Sequence, residues 1–191
     1  MRTFIALDLP NELIEQVADL SRQLSSMVRG RFVARSTYHV TLAFLGEIGE
    51  PEARRVMDVL DTVCAHAAAI RLVPDGLGIY GKPVDATLLL KLAHGRDLMN
   101  LAMAVREELR AQGVSYDEKA SDPHVTLARR ARVLPQALSD LVFPAESSSN
   151  SVTLYKSELS QEGATYKPLY TVNLGYPLIC AADLGLLILG C

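Results

Sequence analysis

The run His39-Val40-Thr41-Leu42-Ala43 occurs a second time as His124-Val125-Thr126-Leu127-Ala128. An identical pentapeptide outside any low-complexity tract marks an internal duplication. Each copy lies in an extended, apolar stretch, Tyr38 to Leu45 and Asp122 to Ala128, that reads as a β-strand. Side chains alternate across a strand, so His39 and Thr41 share one face while Val40 and Leu42 share the other, and likewise His124 and Thr126 against Val125 and Leu127. If the apolar faces pack into a core, two duplicated strands aim two imidazoles and two hydroxyls at one groove.

Working outward from the repeat, Phe4 to Leu9 is a first strand, stopped by Pro10-Asn11 with Asn11 as a helix cap. Leu13, Ile14, Val17, Leu20 and Leu24 then recur at helical spacing as far as about Met27. Gly49-Glu50-Pro51 opens a second helix, whose stripe is Val56, Val59, Leu60 and Val63. Ile70 to Val73 is a short strand, Leu77 to Pro83 reads as a glycine-punctuated loop, and Ala86 to Leu92 is a leucine-rich strand. A third helix carries Leu98, Leu101, Met103, Val105 and Leu109 and ends before Gly113. Pro135 and Pro144 bracket a short helical or irregular stretch, Ser147 to Ser151 reads as a polar turn, and late strands follow at Val152 to Tyr155 and Tyr170 to Leu174. Connections between several strands are too short for crossover helices. The expected class is therefore α+β with mainly antiparallel sheets.

The chain has 191 residues, 49% hydrophobic and 21% charged, with 12 Gly, 9 Pro and no Trp. Collagen-like, disordered and disulfide-stapled classes are excluded on that composition. Nineteen Lys and Arg against 22 Asp and Glu give a formal charge of -3, so no broad field is available to hold a long phosphate backbone. A nucleic-acid ligand would need a local site, such as a cluster of Arg129, Lys156 and Lys167. Cys64, Cys180 and Cys191 are too scattered for a disulfide framework or a metal-ligand set and suit a reducing, cytoplasmic location. The opening segment Met1 to Pro10 is too short and too interrupted for a signal peptide or a membrane span. Residues 1–175 are expected to form one bilobal unit of two similar lobes. Residues 176–191 read as an apolar C-terminal tail, and a monomer is expected, with contact through that tail as the alternative.

A histidine with an unperturbed pKa of about 6.5 can give or take a proton near neutrality. A symmetric pair can hold one of each form, which places an acid and a base on opposite sides of a phosphorus and suits in-line displacement. Thr41 and Thr126 would donate hydrogen bonds to the phosphate oxygens. The pattern points to metal-free phosphodiester chemistry, with no cofactor. A zinc site is the competing reading of His39 and His124, and no third or fourth ligand stands at useful spacing beside either copy. His66 in an alanine-rich helix and His94 beside Gly95 read as structural or solvent-exposed.

Together with Phe4-Ile5-Ala6-Leu7-Asp8-Leu9-Pro10, with Phe44-Leu45-Gly46 after the first copy and with Arg129 after the second, these motifs resemble a known family. It is the bacterial RNA 2',3'-cyclic phosphodiesterases, historically called 2'-5' RNA ligases, of the two-histidine phosphoesterase superfamily. Thr153-Leu154-Tyr155-Lys156-Ser157 and Gly163 to Leu169 extend the resemblance over about residues 1 to 174. It implies a bilobal α+β fold whose two sheets face a central cleft across a pseudo-two-fold axis. It also implies that His39 is the proton donor to the leaving ribose 3'-oxygen, that His124 is the proton acceptor activating water, and that the product is a 2'-phosphomonoester. The symmetric spacing itself does not decide which histidine does which. Arg129 matches a family position for sensing phosphate, while Arg130 and Arg132 beside it read equally as a solvated basic edge. Tyr80 stands where many members of that family carry another aromatic, and with no Trp, base stacking falls to Phe or Tyr. The expected partners are RNA ends or small nucleotides carrying a cyclic phosphate, with no membrane. Two alternatives stay open: a non-catalytic nucleotide- or RNA-end-binding module, and a phosphodiesterase acting on another cyclic or 2'-5' nucleotide.

Overall fold

A computed structural model describes residues 1–119, 122–133, 140–160 and 163–175. Strand β1, Arg2–Asp8, is buried through its apolar middle and ends before Pro10. Helix α1, Asn11–Met27, follows. Pro10 occupies the cap position and Asn11 is already the first helical residue, so the side-chain cap expected of Asn11 is not made. Strand β2, Arg29–Phe32, then leads through a single 3-10 turn, Arg35–Thr37, into β3, His39–Glu47. Helix α2, Glu50–Cys64, has Pro51 in its first turn, and the Glu52 carboxylate accepts from the Gly49 N–H at 2.9 Å. Next come β4, Ile70–Leu72, β5, Pro74–Lys82, β6, Asp85–Leu92, and helix α3, Arg96–Ala111. The remaining strands are β7, His124–Arg132, β8, Ser147–Ser149, β9, Ser151–Ser160, and β10, Gly163–Asn173.

One four-stranded sheet has the order β10-β9-β1-β3 and the other β2-β7-β6-β5, with every pairing antiparallel. The duplication is visible as β1-α1-β3 and β6-α3-β7, in which a helix separates two antiparallel neighbours and the second strand carries the histidine. Each sheet, however, borrows from the other half of the chain: β9 and β10 complete the first, and β2 edges the second. The lobes are therefore not the two consecutive halves that the repeat suggests. One apolar cluster runs through both sheets and all three helices, including Leu7, Leu20, Leu42, Leu60, Leu90, Leu109 and Leu127.

Two further expectations are corrected. The Leu77 to Pro83 loop is most of strand β5, hairpinned to β6 with Lys82 opposite Asp85. Its glycines serve the strand rather than break it. Gly76 takes a positive φ of 85° where the ladder shifts register, and Gly81 takes one of 90° near the turn; both are conformations that glycine adopts without a Cβ clash. The serine run expected to be a turn forms β8, because Ile70–Leu72 offers it a ladder, with Ile70 opposite Ser149. Pairing with a buried neighbour overrides the turn preference of serine. Much of the stretch between Pro135 and Pro144, and the whole tail 176–191, lie outside the described residues.

Candidate active site

The two copies of the repeat fold alike. In both β3 and β7 the His and Thr are half-buried while the Val, Leu and Ala are buried. The local scaffold is also the same. His39 Nδ1 lies 2.7 Å from the Thr37 carbonyl oxygen, and His124 Nδ1 lies 2.8 Å from that of Asp122, two residues before it in each case. A carbonyl only accepts, so each Nδ1 carries the proton and each Nε2 is left as the nitrogen that exchanges protons with a ligand. His39 Nε2 is 3.1 Å from the Thr41 hydroxyl.

The structure brings His39, Thr41, His124, Thr126 and Arg129 together on one cavity of about 780 Å³ between the two sheets. All five line it, whereas Tyr80, Lys156 and Lys167 do not. The walls differ. On the β3 side Phe4 lies 4.7 Å from the His39 ring, Tyr166 meets that ring edge-on at 5.2 Å, and Tyr155 stacks behind Phe4 at 5.4 Å. On the β7 side Tyr80 meets His124 edge-on at 5.2 Å. Tyr80 thus stands on a strand beside a candidate catalytic group and is 42% exposed. Phe4, Tyr155 and Tyr166 belong to the stretches that carry the family resemblance, yet no motif marks them as a wall around His39. For Phe4, the signal is the period-2 alternation of β1 once that strand is paired to β3.

Burial behind this wall dominates the electrostatics. It lowers the His39 pKa from 6.5 to about 4, opposed by the Thr37 hydrogen bond and by Asp8, and assisted by the charges of His124 and Arg129. Asp8 stands directly opposite His39 in the ladder. Its carboxylate accepts from Ser151 at 2.8 Å, Thr153 at 2.7 Å and Tyr155 at 2.8 Å. Burial, reinforced by that neighbouring carboxylate, pushes the Tyr155 phenol well above its usual range.

Of the three cations that the sequence suggested, only Arg129 lines the cavity. Lys156 and Lys167 do not line the cavity; both bind Glu158 at 2.9 Å and hold its carboxyl down near 2. Arg2, Arg31 and Arg130 line it instead, beside Arg129, while Arg132 does not. His66 bonds the Thr62 carbonyl at 3.0 Å and His94 lies 3.2 Å from the Asp122 carboxylate, both away from this cavity. Among the described residues no three His, Cys, Asp or Glu side chains gather as metal ligands. None of the described helices is long and apolar enough to cross a membrane.

Comparison with known proteins adds the following. The family described as LigT like Phosphoesterase matches residues 7–87, which include the first copy of the repeat. The chain is similar to the RNA 2',3'-cyclic phosphodiesterase of Thermus thermophilus, at 30% identity over 186 residues, covering 90% of this chain and 87% of that one. It is likewise similar to the enzyme of that name from Thermotoga maritima, at 29% identity over 182 residues, covering 89% and 94%. The fold matches that of Escherichia coli LigT complexed with 3'-AMP, with a TM-score of 0.69, 26% identity, and coverage of 91% and 96%.

Proposed function

This chain belongs to the LigT-like phosphoesterase family, and from that premise we propose that it hydrolyses 2',3'-cyclic phosphodiester ends of RNA to 2'-phosphomonoesters without a metal ion. The observation that carries the reading is the convergence of two identically braced histidines, each with a threonine two residues on, upon one cavity. In the reaction, water attacks phosphorus and gives its proton to His124 Nε2. The bond from phosphorus to the ribose 3'-oxygen breaks, and His39 Nε2 supplies the proton to that oxygen. Thr41 and Thr126 hold the non-bridging oxygens, and Arg129 balances the charge that builds there. Burial behind the aromatic wall keeps His39 neutral at pH 7, since it titrates at about 4. A phosphate anion seated between the histidines favours the charged imidazole. Substrate binding therefore brings the proton that His39 later donates. A 5'-hydroxyl in place of water would give a 2'-5' linkage by the same steps, with no need for ATP.

The low pKa of His39 also favours a second reading, in which His39 is the base and His124 the acid. In that reading the cyclic phosphate is turned so that its 2'-oxygen faces His124: water enters from the His39 side and gives its proton to His39 Nε2, the bond from phosphorus to the 2'-oxygen breaks, His124 Nε2 protonates that oxygen, and a 3'-phosphate results. One assay separates them: purified protein is incubated with an RNA bearing a 2',3'-cyclic end, and the surviving monoester is identified. A 2'-phosphate is expected, untouched by EDTA, with His39→Ala and His124→Ala each losing at least about 10²-fold in kcat. Full activity in either variant, or full inhibition by EDTA, contradicts the proposal; a 3'-phosphate selects the exchanged roles.

A further inference from the structure

We propose that Arg130, with Arg2 lining the same cavity from the other sheet, forms a second anion subsite that holds the internucleotide phosphate next to the cyclic end, so that the cleft selects an RNA chain over a mononucleotide. The inference rests on the cyclic-phosphodiester reading above and adds a specificity determinant to it.

The backbone of β7 makes this subsite. Strict alternation from His124 would place residues 126, 128 and 130 on the cleft face and Arg129 in the core. Instead Ala128 and Ala131 are buried, and Arg129 and Arg130 both line the cavity. The ladder shows why, in two shifts: Thr126 and Ala128 of β7 oppose Leu89 and Leu88 of β6, two steps meeting one, which turns Arg129 to the cleft; Ala128 and Ala131 then oppose Leu88 and Ala86, three steps meeting two, which adds Arg130. The same extra residue is counted against β2, where Arg129 and Arg132 oppose Arg31 and Arg29. Arg130 sits in this bulge at a φ of 50°, a left-handed conformation that a residue with a side chain seldom takes. Strain of this kind collects where a side chain must be aimed. Its effect here is to present two successive guanidiniums to one cleft.

Charge and reach argue that they serve different phosphates. A cyclic phosphodiester carries one negative charge, for which Thr41, Thr126 and Arg129 are sufficient partners. Arg2 and Arg130 have no carboxylate partner among the described residues, and the Arg2 guanidinium lies 5.0 Å above the Phe44 ring. Arg130 stands four residues beyond Thr126, roughly 13 Å at the usual strand rise and somewhat less across a bulge. That is about one nucleotide's remove once a long side chain reaches back. A hollow of about 300 Å³ adjoins the cavity and shares Arg31, Thr37, Arg129 and Tyr166 with it.

The test measures kcat/KM for 2',3'-cyclic AMP and for an RNA tetranucleotide with a 2',3'-cyclic end, over a series of salt concentrations. It compares the wild-type protein with Arg130→Gly and Arg2→Gln. Glycine removes the guanidinium and relieves the left-handed backbone, so loss of folding is not at issue. The preference for RNA over mononucleotide is expected to fall about tenfold in Arg130→Gly, through KM. The log-log salt slope on RNA should become less negative by about 0.7. An unchanged preference with an unchanged slope overturns the inference, as does a wild-type protein that turns over both substrates without preference. A wild-type protein that turns over neither overturns the functional reading itself.

Discussion

Burial sets the proton affinity of His39. Because the folded imidazole titrates at about 4 and the unfolded one at 6.5, the unfolded chain binds a proton that the folded chain refuses throughout that window. Stability is therefore full above 6.5 and falls as the pH drops toward 4, by roughly 2 kcal/mol between pH 7 and pH 5. Thermal denaturation of wild type and His39→Gln at those two pH values checks this, since the glutamine variant lacks the proton-linked loss. Equal losses would show that His39 is not the group responsible. Millimolar inorganic phosphate should restore part of the wild-type stability at pH 5, because an anion in the cleft pairs with the charged ring.

The strands explain both what the sequence disclosed and what it hid. The repeat made β3 and β7 legible together with the inward face of each, because a period of 2 in a half-buried strand needs no tertiary information. Four of the five candidate residues on the cavity follow from that face, while Arg129 reaches it only through the irregular ladder of β7. Strands β5 and β8 were hidden because glycine and serine runs become strands only when a partner strand is supplied, and β2 because its partner lies a hundred residues away. The aromatic wall and the second arginine were hidden for a similar reason: one depends on how β1 and β9 pair, the other on a bulge. Pairing also breaks the symmetry that the repeat left open. At matching ladder positions Asp8 opposes His39 and Lys91 opposes His124. Cross-strand neighbours share a face, and the Asp8 carboxylate raises the proton affinity of His39 against the pull of burial. On the proposed reading, with His39 as the acid, that carboxylate helps the imidazole hold the proton it donates. Asp8→Asn should lower kcat several-fold and move the His39 limb of the pH-rate profile to lower pH. A loss of activity with that limb unmoved would assign Asp8 to holding β9 through its three hydroxyl partners.

At the scale of the whole molecule, the exchange of strands ties the two histidines to one folding event. His39 lies on the sheet that β9 and β10 complete from the far end of the chain, and His124 lies on the sheet that β2 edges from the near end. Neither sheet can assemble from its own half, and the apolar cluster passes through both without interruption. Leu7 in the first sheet and Leu90 in the second are both fully buried, and Leu7→Ala and Leu90→Ala should each cost about 2–5 kcal/mol. In independent lobes each substitution would split the melt and shift only its own half. Here calorimetry should record one transition, displaced by either substitution, with activity lost over the same temperature range. Two resolved transitions would mean that the sheets fold apart and that the cleft is held only by their later docking. A single one means that the spacing of the acid and the base is fixed by the same packing that makes the protein stable.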